Sequence, residues 1–346
     1  MENQKITTVC IPAYNDNETV KSALNGLIDN LNKYNRTPRI MVIDDCSEKQ
    51  YTTKNREIVY GVVDKYKGKI EFIDRDDRRN YAIKVSKEKN IPEDVCIYAF
   101  CGDKNSAYTV GSSQNYLLAN TKGELIISID YDVIFNFFTP DQTRPNFTIE
   151  NPFETWFLNR DQKIPNLFKP IEIDILSIHE KALGKKVSEI FKKDTPEYIK
   201  DSSVIDTFMG IYGDSPMESN TPLMLLPQVF NKLVNVTSDE YKNIKNTRRI
   251  VWSTMSETIY QGIMCICTVM GIDNRKITPP FMSNGRGHEL VYGTLRWKAF
   301  ADKVSYFSPL IIGHERPRGS RPVGNNSVYE LTKMDRVISN IISNMK

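Results

Sequence analysis

Four short runs rich in β-branched and other apolar residues constrain this chain most: 7–12 (TTVCIP), 39–44 (RIMVID), 69–74 (KIEFID) and 124–130 (ELIISID). Each has the length of a buried strand and stops at polar or acidic residues. The run 124–130 is apolar on both faces, the pattern of a strand covered by helices on two sides. Residues 95–100 (VCIYAF) are expected as a further strand. Between the runs, Val20, Leu24, Leu27, Ile28 and Leu31 fall on one helix face, with Asn15, Asp16 and Asn17 placed to cap it. Residues 111–120 read as a second helix, closed by Gly123. Strands alternating with helices of this length predict an α/β fold, a mostly parallel sheet flanked by helices.

The pattern changes near residue 135, where proline, asparagine and aromatic residues become frequent, and again near 250. The chain therefore reads as three segments of one domain: 1–135, 136–250 and 251–346. Helices are expected around 171–191 and 221–233, an apolar helix from Trp252 to Ile272, and a terminal amphipathic helix through Val328, Leu331, Met334, Val337, Ile338, Ile341 and Ile342. Arg296-Trp297 falls on another amphipathic helix, with Trp297 expected inside. Residues 212–221 and 313–324 are expected as mobile loops.

Composition excludes some functions. The 346 residues carry 46 basic and 43 acidic side chains, a net charge of +3, which gives no reason to expect nucleic acid as a partner. The six cysteines are scattered, and the C-x-C at Cys265 and Cys267 lies in an apolar run, where buried thiols fit better than a zinc knuckle. The longest apolar stretch, 262–272, is about half of the ~20 residues a bilayer span needs. No apolar leader follows Met1. No membrane span and a cytoplasmic location are the expectation.

Polar residues gather where the predicted strands end: Asp44-Asp45, Asp74, and Asp130-Tyr131-Asp132. Ligands of open α/β sheets sit at that edge. Residues i and i+2 of an extended chain project to one side, so Asp130 and Asp132 together offer a hard oxygen site for Mg²⁺ or Mn²⁺. A solvated turn is the plain alternative.

The first strand leads into Pro12-Ala13-Tyr14-Asn15 with Glu18 following, the second into Asp44-Asp45-Cys46-Ser47, and Gly123-Glu124-Leu125-Ile126 leads into Asp130-x-Asp132. In these motifs, their order and their spacing, the first 135 residues resemble inverting family 2 glycosyltransferases of the GT-A fold. The resemblance implies a Rossmann-like nucleotide-sugar-binding half in 1–135, an acceptor-side insertion in 136–250, and an acceptor and catalytic segment in 251–346. It implies a nucleotide-sugar donor, with UDP-hexose favoured, and Mn²⁺ or Mg²⁺ as cofactor. The acceptor (glycan, peptide or small molecule) stays open. Pro12, Tyr14, Glu18 and Asp45 would hold the nucleotide, Asp130 would sit near ribose or metal, and Asp132 would bind the metal. The family's Arg-Asn before the D-x-D strand is Gln114-Asn115 here, with Asn115 retained as a donor-site candidate.

In the last segment, 279–289 (PPFMSNGRGHE) resembles the acceptor-side stretch that usually ends Glu-Asp, whose last carboxylate is the general base. Glu289 is the candidate base and His288 the other, although a ring exposed near a loop is the plain reading of His288. His314 stands where many GT-A enzymes supply a late histidine to the metal. Arg316, with Arg318 and Arg321, would close over the diphosphate or form a solvated basic loop. Two rival functions remain. A sugar-phosphate nucleotidyltransferase needs a glycine-rich basic loop after the first strand, and residues 12–18 contain neither glycine nor lysine. The other rival is a catalytically inactive nucleotide-sugar-binding protein.

Overall fold

The computed structural model describes residues 5–141 except 104, 105 and 107, residues 145–215 except 159–163, 165 and 166, residues 249–315 except 286 and 301, and residues 237–239, 242, 337–339 and 341–345. The architecture is mixed α/β, a large central sheet flanked by helices.

The first half follows the strand–helix alternation. Strand β1 (Ile6–Ala13) pairs in parallel with β2 (Arg39–Asp44), and β2 with β3 (Ile70–Ile73). On its other side β1 pairs in parallel with β4 (Leu125–Ile129), whose five residues are all buried. Helix α1 (Glu18–Lys33) buries Val20, Ala23, Leu24, Leu27, Ile28 and Leu31, the face its sequence spacing marks. Its cap differs in detail from the sequence reading. Asn17 holds the N-cap position without a side-chain cap bond, and Asp16 Oδ1 accepts from Thr19 N at 3.0 Å instead. Helices α2 (Lys49–Tyr60) and α3 (Arg75–Lys89) follow, the latter opened by a capping box between Asp74 and Asp77.

Residues 95–100 are not a strand. They lie in helix α4 (Glu93–Cys101), which starts after Pro92 with Glu93 and Asp94 in its first turn, a helix-start signal that outweighs a short apolar run. Helix α5 (Val110–Asn120) is capped by Thr121, and Gly123 takes its positive φ of 93° in the turn beyond, donating to Asn274 O. Gly111 lets the start of α5 lie against the 281–283 segment: a Cβ there would stand 1.8 Å from Met282 O.

Beyond β4 the sheet becomes mixed. After a three-residue turn the chain enters β5 (Val133–Pro140), followed by β6 (Asn146–Thr148), β7 (Glu154–Phe157) and β8 (Phe168–Ile171). The helix expected over 171–191 is two short ones, α6 (Ile175–Glu180) and α7 (Val187–Phe191), separated by a turn at Gly184 with φ 76°. The long strand β9 (Ser203–Asp214) lies next in the chain. The apolar helix expected from 252 to 272 is instead β10 (Arg249–Ser253), β11 (Thr258–Tyr260) and β12 (Val269–Asp273). Its apolar part, 262–272, is too short to be assigned by periodicity alone, Ser253, Ser256, Glu257 and Gln261 interrupt the rest, and Ile250, Val251, Thr258, Ile259, Val269 and Ile272 are β-branched residues that mark strands.

Helix α8 (His288–Ala299) then leads to β13 (Lys303–His314). The main sheet order is β3-β2-β1-β4-β12-β9-β13-β11-β6, so strands of all three sequence segments share one sheet. Strand β12 pairs antiparallel with both β4 and β9, and β9 runs parallel to β13.

On α8 the expected orientation is reversed. Trp297 is 45% exposed, while Arg296 is buried and donates to both carboxylate oxygens of Asp206 at 2.9 and 3.0 Å. Among the described residues no helix is long and apolar enough to cross a membrane. The helix expected at 221–233 lies outside the described residues. Of the terminal helix, residues 337–339 and 341–344 are described and are helical.

Candidate active site

Asp130, Asp132 and His314 come together. One ligating atom from each lies within 4.8 Å of the others. The two aspartates sit in the turn between β4 and β5, not on extended chain, and Asp132 is turned inward and buried. His314 ends β13, where it pairs with Val133 of β5 on one side and Gly213 of β9 on the other. Its Nδ1 lies 2.7 Å from the carbonyl oxygen of Asp214, and its Nε2 lies 3.2 Å from Asp132 Oδ1. A carbonyl can only accept, so Nδ1 carries the hydrogen, and a neutral ring then presents its Nε2 lone pair to the aspartates. Metal-ligating histidines are commonly oriented in this way by a carbonyl behind the ring. Gly213 makes the approach possible. With φ at 114°, a Cβ there would meet His314 O at 2.3 Å.

Two carboxylates and one imidazole suit a divalent cation, and the imidazole favours Mn²⁺ over Mg²⁺. The residues therefore fit the cofactor expected from the sequence. The turn is also held from behind, since Glu315 N donates to Asp132 O at 2.9 Å.

Glu289 lies on the first turn of α8, close to this cluster. Its Oε1 accepts from Cys267 N at 2.5 Å, and the next residue, Thr268, accepts from Asp130 N at 2.9 Å. His288 is not an exposed loop ring. Both its nitrogens are buried, its ring packs 5.9 Å from that of Phe281, and burial lowers its pKa from the usual histidine value.

At the other strand ends, Pro12 is buried in β1 opposite Ile43. Asp45 is buried, its N–H bonded to Ala13 O at 2.7 Å and its Oδ1 accepting from Thr109 Oγ1 at 2.8 Å and Ser113 Oγ at 3.1 Å. Burial raises its pKa, against the opposing pull of Arg78. Tyr14 is half-buried beside it, and its hydroxyl is raised above the ordinary tyrosine value by burial and then by the charge of Asp45. Glu18 is exposed on the first turn of α1.

The Asn115 amide is engaged by backbone. Nδ2 donates to Phe281 O at 2.9 Å and Oδ1 accepts from Phe281 N at 2.8 Å, so the side chain pins the 279–289 segment to α5. Gln114 donates to Ser128 Oγ at 2.8 Å within β4. Arg316, Arg318 and Arg321 lie outside the described residues, as do 216–221 and 316–324 of the loops expected to move. Residues 212–214 and 313–314 of those loops are strand.

Arg78 had no place in the sequence reading. It is fully buried beneath the end of β2, donating to Asp44 O and Phe100 O, both at 2.8 Å, and to Ser112 Oγ at 3.0 Å. It thereby supplies positive charge behind Asp45. Within 75–79 (RDDRR) every position reads as solvated helix, so no local signal marks it.

No family model matches the sequence, and no curated protein matches it. Among solved structures the chain is similar to glucosyl-3-phosphoglycerate synthase from Mycobacterium tuberculosis. Against its complex with uridine diphosphate the identity is 12% and the TM-score 0.43, over 99% of this chain and 81% of that one. Against its complex with Mn²⁺, uridine diphosphate and phosphoglyceric acid the identity is 13% and the TM-score 0.42, over 99% and 80%.

Proposed function

We propose that this chain is a metal-dependent glycosyltransferase that moves a hexose from a nucleotide-sugar donor, UDP-hexose in the first place, to a hydroxyl acceptor with inversion. The observation that carries this reading is the Asp130–Asp132–His314 cluster, with its imidazole oriented by Asp214 O, at the carboxyl end of β4. Asp132 and His314, with Asp130 beside them, would hold Mn²⁺ or Mg²⁺. When bound, such an ion neutralises charge that develops on a departing nucleoside diphosphate.

The chain's own groups do the rest. Tyr14 and Asp45 form the wall at the ends of β1 and β2 that would take the nucleoside. Glu289, tethered by Cys267 N–H, removes the proton from the acceptor hydroxyl. The acceptor oxygen then forms its bond to the anomeric carbon from the face opposite the breaking bond to the diphosphate oxygen. Inversion is the outcome, and the proton ends on Glu289.

The test is donor turnover across a panel of nucleotide sugars in Mn²⁺, with binding of the free nucleoside diphosphates followed by calorimetry. Metal-dependent turnover of at least one donor is expected. Turnover unchanged in EDTA would remove the metal assignment, and failure to bind any nucleoside diphosphate would remove the reading itself.

A further inference from the structure

A second set of ligating atoms stands beside the first, built from a helix start and a cysteine some twenty residues before it. The thiol of Cys267, a ring nitrogen of His288 and a carboxylate oxygen of Glu289 all lie within 4.8 Å of one another. Cys267 is buried in the link between β11 and β12, and its sulfur lies 3.7 Å from the thioether of Met270. His288 and Glu289 open α8. Both ring nitrogens of His288 are buried, and neither has a hydrogen-bond partner among the described residues. A buried imidazole left unsatisfied on both sides is unfavourable unless something supplies a partner.

We propose that Cys267, His288 and Glu289 form a binding site for a thiophilic divalent cation, Zn²⁺ in the first place, and that its occupation shuts off transfer. The binding half stands on the cluster alone, while the shut-off rests on the reading of Glu289 as the base.

The donor set selects the ion. A thiolate, an imidazole and a carboxylate suit zinc, whereas Mn²⁺ and Mg²⁺ prefer the oxygen-rich Asp130–Asp132 pair. Three protein ligands leave a fourth tetrahedral position for water. Tetrahedral zinc places its ligand atoms roughly 3.3–3.7 Å apart. No pair therefore has to close by more than about 1.5 Å, within the reach of side-chain adjustment.

Charge balances as well, because thiolate and carboxylate together neutralise the dication around a neutral imidazole. Binding exchanges the Cys267 thiol proton for the metal, so one proton leaves for each ion that enters. The bond from Cys267 N to Glu289 Oε1 already holds the carboxylate against the residue that carries the sulfur. Once coordinated, the Glu289 carboxylate gives its charge to the zinc and is too weak a base to take the acceptor proton, so transfer stops while the nucleotide end of the site is untouched.

The test uses Co²⁺ alone, added to the reduced full-length protein and read by thiolate-to-cobalt charge-transfer absorption in the near ultraviolet. The expected result is a band that saturates at about one cobalt per chain, is displaced by Zn²⁺ and persists in Asp132→Asn. Cys267→Ser should lose the band, and His288→Asn should weaken binding at least tenfold. Thermal melts without metal establish that both variants are folded. No band in the parent, or a band that survives Cys267→Ser, overturns the site. Zn²⁺ at the concentration that saturates the site should abolish transfer, and a zinc chelator should restore it. Undiminished transfer by the zinc-loaded protein overturns the shut-off. A saturating band in a protein that transfers from no donor keeps the site and removes the transferase reading.

Discussion

Glu289 and Asp130 are held by two consecutive residues. Cys267 gives its N–H to Glu289 at 2.5 Å, and Thr268 takes the N–H of Asp130 at 2.9 Å. The candidate base and the first member of the carboxylate pair therefore share one support between β11 and β12. That support is anchored in turn by Arg296, which reaches the carbonyl oxygens of Gly262 and Met264 from α8. Any shift of this link moves Glu289 and Asp130 together.

Glu289→Gln should destroy transfer and keep donor binding. The amide is nearly isosteric, and its oxygen still accepts from Cys267 N–H, so the helix start stays in place. What is lost is the capacity to take a proton, commonly worth 10²–10⁴-fold. The loss should appear in kcat at saturating donor, with the nucleotide Kd unchanged. If Glu289→Gln keeps its rate, the base lies elsewhere.

Asp132→Asn should weaken Mn²⁺-dependent nucleotide binding by at least the 10–100-fold seen when a ligand's supporting partner is lost. Because Asp132 is buried against His314, asparagine is a better probe than alanine, which would leave a cavity beside the imidazole. Calorimetry of uridine diphosphate with and without Mn²⁺ reads the effect. Equal metal dependence in parent and variant would take Asp132 out of the site.

The first half of this fold was legible because its signals are local. Strands β1, β2 and β4 and helix α1 bury their own apolar periodicity, and acids follow β2 and β4 at their carboxyl ends. The candidate site was legible as far as residue types at strand ends allow, and the structure brings Asp130, Asp132 and His314 together. What the sequence hid depends on pairing at a distance. Residues 249–273 mix apolar and polar side chains in no clear period, and pairing with β4, β9 and β13 is what settles their short stretches as strands. Arg78 and Arg296 are buried because carbonyl oxygens and a carboxylate surround them, and nothing within their helices announces this. The Cys267–Glu289 contact likewise needs the fold to bring a link and a helix start together.

Arg296→Met should cost about 3–5 kcal/mol of unfolding free energy, the usual result of stripping one partner from a buried ion pair. Arg296 and Asp206 are both almost fully buried, and burial alone already pushes the Asp206 carboxyl upward. The double variant Arg296→Met/Asp206→Leu should regain much of the loss, because no uncompensated charge then remains. Chemical denaturation of the three proteins measures it. A double variant no more stable than the single one would mean that the bonds from Arg296 to Gly262 and Met264, and not the ion pair, dominate.

Acid should destabilise the protein through His179. This ring is buried under β12, with Nδ1 2.6 Å from Thr207 Oγ1, and burial lowers its pKa to about 3. The folded state therefore keeps the ring neutral where the unfolded chain, with its ordinary value near 6.5, takes up a proton. Between those values the unfolded state binds more protons, so stability rises with pH across the window and falls as pH drops from about 6.5 toward 3. The slope from this one group approaches about 1.4 kcal/mol per pH unit. His179→Gln removes the titration while keeping a polar side chain for Thr207, so its stability should fall less steeply over that window, whatever its level at pH 7. Carboxylates and His288 titrate in both proteins, and the difference between the two curves isolates His179. Denaturant midpoints measured every half unit from pH 7.5 to 4 decide the matter: parallel curves would show that the His179 ring is protonated, or reached by water, in the folded state.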